Sequence, residues 1–183
     1  MSKLNELVKT NNVNAVFGFK AFADYAHKYK NNNAENSIII STLSPAVMHE
    51  MGFDRYISPV LPRGTVFHTA EEIYDSDLNT TIVTVYPSEE NGNRQIIVSR
   101  HTGTIELLKG MYPNAEIMTG NITPDDIKGS FVIGTLPPML IQYADSYKSV
   151  TITDFDYAKD GDLNGDELKQ RLHICDPIRI TVE

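Results

Sequence analysis

A strand-to-helix loop in the second half of the chain carries the residues best suited to chemistry, Arg100 and His101. The apolar run 95–98 before the pair predicts a buried strand, and the pattern of 104–109 predicts a helix. In open α/β sheets ligands bind where strands end, and backbone amides at a helix start favour an anion there. A guanidinium binds phosphate through its planar fork, and an imidazole donates a proton or a hydrogen bond. The pair therefore indicates a phosphate site, with a ligand-free turn cap as the alternative.

A second loop of this type follows the predicted strand 131–133 and leads into a predicted helix at 138–144. If the two strands are neighbours, the Thr135 hydroxyl faces the same crevice as Arg100. The alternative is a structural strand-to-helix turn. The residues of the two loops that we expect to bind ligand are Ser99, Gly103, Gly134, Thr135 and Leu136.

Metal sites are not predicted. The candidate calcium-loop positions one, three, five and six are Asp160, Asp162, Asn164 and Gly165. The pattern then fails, because Glu167 replaces the apolar eighth residue and Arg171 replaces the acid at position twelve. We interpret the segment as a solvated acidic turn. No histidine or cysteine spacing is typical of zinc, and no phosphate-cradling or dinucleotide-binding glycine motif occurs. No cofactor is therefore expected.

The composition limits the partners that this chain can have. Its 183 residues carry a net charge of -8, which argues against binding to duplex nucleic acid or to an anionic membrane surface. The lone cysteine, Cys175, cannot form an intrachain disulfide, which fits a reducing compartment. No apolar run approaches the ~20 residues that span a bilayer. The sequence predicts a cytoplasmic protein without membrane contact.

Alternating strands and helices predict an α/β fold with a mostly parallel sheet. β-Branched apolar runs predict strands at 14–18, 37–40, 80–85, 95–98, 131–133, 149–152 and 178–182. Helices are predicted at 19–29, 104–109 and 138–144. In the first of these helices, one apolar stripe is expected to contain Phe22, Ala23, Ala26 and Tyr29.

The two halves of the chain echo each other. Residues 37–47 and 130–140 share one pattern: Ser, three apolar residues, a small residue, Thr-Leu, any residue, Pro and two apolar residues. Matching strands flank both segments in the same order, and a polar stretch at 88–93 lies between the halves. This repeat predicts two tandem Rossmann-like units, residues 1–92 and 93–183, that form a pseudo-dimer. In the first unit Thr42 stands at the place of Thr135.

From 95 to the end, the order of motifs resembles a small accessory family of type III CRISPR systems, the Csx-sixteen family. The resemblance rests on the strand with Arg100 and His101 and on the later Gly-Thr-Leu-Pro loop, residues 134–137. This chain departs from the family at Thr102, where a proline is usual. The arginine of an Arg-Gly-x-Glu-Leu element is missing at 164–168, while Arg63 and its following glycine echo it in the first half. Residues 1–92 are thus a diverged copy, with Phe19 and Lys20 in place of the Arg-His pair.

The resemblance implies metal-independent ring-nuclease activity: the protein binds a cyclic oligoadenylate messenger and cleaves it, which switches off an antiviral signal. Arg100 then stabilises charge on the phosphate, and His101 protonates the leaving oxygen or orients the attack. Thr135 and Gly134 fix the ligand, with Lys20 and Arg63 as cationic contributors from the other half. The family is expected to act as dimers, and pairing of two chains beyond the intrachain pseudo-dimer is left open.

Two other functions remain open at this point. A sponge, encoded by a phage or its host, binds a cyclic nucleotide without cutting it, and the same arginine and loop amides serve that purpose. A structural or protein-interaction module keeps the fold without a ligand. Thr102 and the loss of the Arg-His pair in the first half are departures in the direction of lost catalysis, and the ring nuclease remains the leading interpretation.

Overall fold

Short β-branched runs form strands and the segments between them form helices in the computed structural model, which describes residues 2–32, 34–62, 65–153 and 163–183. The chain divides into two units, residues 1–84 with 181–183 and residues 85–180. It passes between them within strands β5 (Asn79–Pro87) and β11 (Ile178–Val182). The predicted α/β class is confirmed, and the strands pair in a mixed, mostly parallel manner.

In the first unit, strands β2, β3 and β4 are parallel neighbours in that order, and β5 pairs with β4 antiparallel. Strand β1 also pairs antiparallel with β5. The last residue closes this unit, because Glu183 and Ile82 exchange two backbone hydrogen bonds of 3.0 Å. The elements before β5 are β1 (Ser2–Lys3), α1 (Leu4–Thr10), β2 (Asn12–Phe17), α2 (Lys20–Tyr29), β3 (Ser37–Ser41), α3 (Pro45–Glu50), β4 (Arg55–Pro59) and α4 (Ala70–Ser76).

Helix α2 packs its apolar side into the core of the first unit. Phe22, Tyr25 and Ala26 are buried, and Tyr29 is half-buried and stacks on the ring of Tyr74. The prediction of Ala23 on this stripe is wrong, since that residue is exposed. The helical period explains the difference, because positions i, i+3, i+4 and i+7 share a face and i+1 lies about 100° away.

In the second unit, the sheet has the order β7-β6-β8-β9-β11. Strands β6 to β9 run parallel, and β10 and β11 each pair antiparallel with β9. The elements before β11 are β6 (Gln95–Val98), α5 (Thr102–Met111), β7 (Glu116–Met118), α6 (Pro124–Ile127), β8 (Phe131–Gly134), α7 (Pro138–Ile141), β9 (Ser146–Ile152), α8 (Gly165–Arg171) and β10 (Leu172–Ile174).

The predicted strands are all confirmed, with small shifts at their ends. The predicted helix at 138–144 ends at Ile141, and its last residues form a turn. Several short elements were not predicted from the sequence. These are β1, β4, β7 and β10 among the strands, and α1, α3, α4, α6 and α8 among the helices. Throughout the described part of the chain, no helix combines the length and the apolar character needed to cross a bilayer.

Lys148 on β9 forms a partly buried ion pair in the second unit. Its ammonium, on a side chain 17% exposed, donates hydrogen bonds to the Glu90 carboxylate and to the Tyr112 hydroxyl. The Tyr112 hydroxyl in turn donates to Glu90 Oε1 over 3.1 Å. The hydrogen bond from Lys148 lowers the pKa of Glu90 below its ordinary value. The pair therefore joins the segment before β6 to the middle of the sheet.

Glu90→Gln is expected to lower the free energy of unfolding by about 1 kcal/mol at pH 7, because Lys148 loses its charged partner. A carboxyl whose pKa is lowered in the folded state contributes stability above its unfolded pKa, and that contribution disappears as the pH falls through the lowered value. The difference should therefore shrink below about pH 4. Urea unfolding at pH 7 and pH 3 measures it, with Glu89→Gln on the exposed neighbour as control. Equal losses at both pH values contradict the prediction.

Candidate functional site

The two candidate loops of the second unit leave adjacent parallel strands at the same edge. Strands β6 and β8 are hydrogen-bonded neighbours, with Val98 opposite Gly134 in the register. The Thr135 amide donates to the Val98 carbonyl over 3.2 Å, just beyond the end of the ladder. The structure thus brings the loop of Arg100 and the loop of Thr135 together, as parallel neighbours require.

Backbone and hydroxyl contacts hold the Arg-His loop in place. The Ser99 amide donates to the Met118 carbonyl at the end of β7 over 3.3 Å. The Ser99 hydroxyl accepts the His101 amide over 3.2 Å. His101 is the residue that precedes α5, and its carbonyl accepts the Ile105 amide of the first turn. The Ser99 hydroxyl therefore helps to fix the turn, and in this hydrogen bond it acts as the acceptor.

Arg100 projects from this loop with its charge uncompensated. The residue is exposed, and its guanidinium has neither a hydrogen bond nor an ion pair with any residue that the structure describes. The fork of Arg100 is thus available to an external anion. His101 beside it is also exposed.

The loop after β8 is tightly built around Gly134. This residue has φ +140°, and a Cβ placed on it would lie 1.9 Å from the Val98 carbonyl oxygen. The buried Tyr147 hydroxyl donates to the Gly134 carbonyl over 2.7 Å and accepts the Leu136 amide over 3.3 Å. Gly134 and Leu136 are both buried. These two residues therefore hold the loop in shape, and the Leu136 amide is already used inside the protein.

Thr135 faces solvent in this loop, as does Pro137, and it carries the hydroxyl group. Its hydroxyl donates to the Val150 carbonyl over 3.3 Å, which leaves the oxygen lone pairs able to accept a hydrogen bond from a ligand. Tyr147, whose hydroxyl fixes the shape of this loop, was not among the residues predicted from the sequence. The available signal was its place just before the predicted strand 149–152, which in fact begins at Ser146.

Gly103 lies in the first turn of α5, where the absence of a side chain lets the start of α8 pack closely against it. A Cβ there would come within 2.8 Å of the Leu163 carbonyl oxygen and 3.1 Å of the Leu168 side chain. The close backbone approach at this residue is therefore made to the start of α8. Asn164 precedes that helix, and Gly165 has φ +56°.

The first unit has a related pair of loops with different chemistry. The Thr42 amide donates to the Phe17 carbonyl over 3.1 Å, and the Thr42 hydroxyl accepts the Phe19 amide over 3.2 Å. Phe19 is 46% exposed. Lys20 opens α2 and forms an exposed ion pair with Asp24, one turn later. This edge thus presents an aromatic ring and a paired ammonium, whereas the second unit presents a guanidinium that has no partner in the part of the chain that the structure describes.

Some predicted residues fall outside the described part of the chain. Arg63 is one of them, and so are Asp160 and Asp162 of the candidate calcium loop. Arg171, at the twelfth position of that pattern, donates to the Thr153 carbonyl over 3.0 Å and forms an ion pair with Glu167. The segments 98–103 and 134–136 contain no acidic residue and no cysteine. His101 is therefore the one residue in them of a type that commonly binds a metal ion. The site therefore suits an anion rather than a cation.

Comparison with known proteins yields no family model, no curated protein and no solved structure that matches this chain.

Proposed function

We propose that this protein binds a cyclic oligoadenylate at its strand exits and cleaves it without a metal ion. The observation that carries the proposal is the exposed guanidinium of Arg100, which has no partner among the described residues and lies beside His101 and next to the Thr135 loop on the neighbouring strand. Cleavage of a phosphodiester bond is promoted by a fixed cation and an adjacent proton donor, and this edge of the sheet offers both. In this proposal the protein works in the cytoplasm and damps an antiviral signal of the CRISPR type.

Repetition within the chain supports the proposed pair of Rossmann-like units. Strands β2, β3, β4 and β5 have the same spatial order and the same relative directions as β6, β8, β9 and β11. The hydrogen bond from Thr42 to Phe17 also has its counterpart in the bond from Thr135 to Val98. A ring-shaped ligand with repeated phosphates suits a pseudo-dimer of such units. Lys20, Thr42 and Arg63 of the first unit, a diverged copy, remain predicted ligand-binding residues.

The proposed reaction is an intramolecular phosphoryl transfer. A ribose 2′-oxygen attacks the adjacent phosphorus and loses its proton to solvent water, the bond from phosphorus to the 5′-oxygen breaks, and that oxygen takes up a proton from His101. The products are a 2′,3′-cyclic phosphate and a free 5′-hydroxyl. Arg100 stabilises the charge that develops on the phosphate oxygens, and His101 protonates the departing 5′-oxygen. Thr135 positions the reacting group, which supplies a large part of the rate.

A second candidate function is a sponge that binds the same messenger and returns it intact. Phe19 favours it, because an exposed aromatic ring at the strand exit of the first unit can stack on an adenine but cannot transfer a proton. The two functions share Arg100 as the phosphate ligand and differ in the role of His101.

Incubation with cyclic tri-, tetra- and hexa-adenylate in the presence of a chelator, followed by heating and chromatography, tests both candidates. The enzyme yields linear products that end in a 2′,3′-cyclic phosphate. His101→Ala is expected to slow their formation by about tenfold or more. A sponge releases intact rings after heating and raises the melting temperature when it binds. The proposal is contradicted if none of the rings is cleaved and none of them shifts the melting temperature.

A further inference from the structure

The chain contains two Asn-Gly pairs, and both lie in the second unit. Asn91 and Gly92 come before β6, and Asn164 and Gly165 stand at the start of α8. Asparagine loses its side-chain amide most readily before glycine, because no side chain hinders the approach of the glycine nitrogen to the asparagine Cγ. The backbone must rotate until these two atoms meet, so the surrounding structure decides whether each pair reacts.

The first pair is held in place from both sides. The Asn91 amide donates to the Ser146 hydroxyl, and that hydroxyl donates back to the Asn91 carbonyl, each over 2.9 Å. Ser146 is fully buried, so this anchor lies inside the fold. Gly92 packs against the start of β8, where a Cβ placed on it would lie 2.1 Å from the Phe131 nitrogen. Rotation of this pair therefore requires local opening of the second unit.

The second pair lies open. Asn164 and Gly165 are both exposed. The Asn164 side chain makes no capping hydrogen bond to the helix that follows it. Within the described ranges, a Cβ placed on Gly165 meets no atom within 4 Å beyond its chain neighbours and its own helix backbone. The first amides of a helix also have no partner inside the helix. The Asn164 side chain and the Gly165 nitrogen are thus accessible to each other without unfolding.

We propose that Asn164 is a site of spontaneous deamidation in the folded protein and that Asn91 is protected. The Gly165 nitrogen attacks the Asn164 Cγ, and its proton leaves with the side-chain NH2 group as ammonia. The product is a cyclic succinimide, which one water molecule then opens. Cleavage of the bond from the ring nitrogen to Cγ gives aspartate, and cleavage of its bond to the backbone carbonyl carbon gives isoaspartate. The inference does not depend on the proposed cleavage of a messenger.

The two products differ in their effect on the packing of α8. A Cβ placed on Gly103 of α5 would lie 2.8 Å from the Leu163 carbonyl oxygen and 3.3 Å from the Asn164 Cα. Isoaspartate lengthens the main chain by one carbon atom at this close contact. Aspartate adds only a charge, and it is a favoured residue before a helix. The isoaspartate product should therefore loosen α8 from α5, and the aspartate product should not.

Incubation of the whole protein in mildly alkaline buffer, followed by proteolysis and mass spectrometry, tests this inference. We expect the peptide of Asn164 to convert faster than that of Asn91 by about tenfold or more, because Asn91 reacts only in locally opened molecules. In concentrated urea both pairs lose their surroundings, and the two rates should agree within about threefold. Equal rates in the folded protein overturn the inference. So does an Asn164 that stays intact in the folded protein and reacts only in urea.

Ser146→Ala is the matched variant, since it removes the hydroxyl that holds Asn91. We expect it to speed the conversion of Asn91 and to leave that of Asn164 unchanged. A melting curve shows whether this variant is folded, and the comparison of folded and urea-treated wild-type protein stands without it. An unchanged rate at Asn91 in the folded variant contradicts the protection that we assign to Ser146.

Hydrogen exchange of the separated products tests the effect on α8. The isoaspartate form should exchange the amides of α8 faster than unmodified protein does. Asn164→Asp carries the new charge without the longer backbone and should exchange them at the unmodified rate. Equal exchange in the isoaspartate form and in Asn164→Asp contradicts the assigned effect.

Discussion

Arg100→Gln is expected to reduce the rate of cyclic tetra-adenylate cleavage by about 100-fold or more. Glutamine keeps a hydrogen-bond donor but loses both the charge and the second arm of the fork. The effect should fall on the chemical step, because negative charge on the phosphate oxygens grows toward the transition state. Single-turnover measurement with excess protein isolates that step from binding. Arg100→Lys keeps the charge without the fork and should give an intermediate rate.

Stability provides the internal check on this variant. Arg100 has no partner among the described residues, so its replacement should change the free energy of unfolding by less than about 0.5 kcal/mol. Lys128→Gln removes one positive charge from another exposed position and should cleave at the wild-type rate. A wild-type rate in Arg100→Gln contradicts the assigned role. If the protein is a sponge, the same variant loses affinity for the ring instead of rate.

Gly134→Ala should cost about 3 kcal/mol or more of folding stability. The alanine Cβ would lie 1.9 Å from the Val98 carbonyl oxygen, and φ +140° is strained for any residue with a side chain. Relief requires that β6 and β8 separate at Val98 and Gly134. The loop of Thr135 then loses its place beside Arg100, so ligand binding should weaken as well. Chemical unfolding measures the first effect, and titration of the folded fraction measures the second.

Gly110→Ala is the matched control for this substitution. Gly110 lies near the end of α5, and among the described residues no atom beyond its chain neighbours and its own helix backbone stands within 4 Å of a Cβ placed there. Alanine is the better helix former, so this variant should be unchanged in stability or slightly more stable. A Gly134→Ala protein as stable as the Gly110→Ala protein would show that the two strands do not approach as described.

Local features of the fold were predictable from the chain because they depend on neighbouring residues. The run 95–98 is apolar and β-branched, so it forms a buried strand wherever it pairs. The polar residues that follow it must then lie in a loop, which put Arg100 and His101 at a strand exit. The short strands β4 and β7 were missed: β7 is only three residues long and mostly exposed, and β4 is interrupted by Ser58 and ends at a proline.

The sequence by itself thus determined the α/β class, the main strands, the internal echo and the position of the Arg-His pair along the chain. Tertiary structure alone decided that β6 lies between β7 and β8, that Tyr147 anchors the Thr135 loop, and that Arg100 has no acidic partner among the described residues. It also decided that Gly103 makes room for α8. The physical reason is range: strand formation follows from local side-chain sterics and burial, whereas neighbours in a sheet and partners of a charge come from chain segments far apart in sequence.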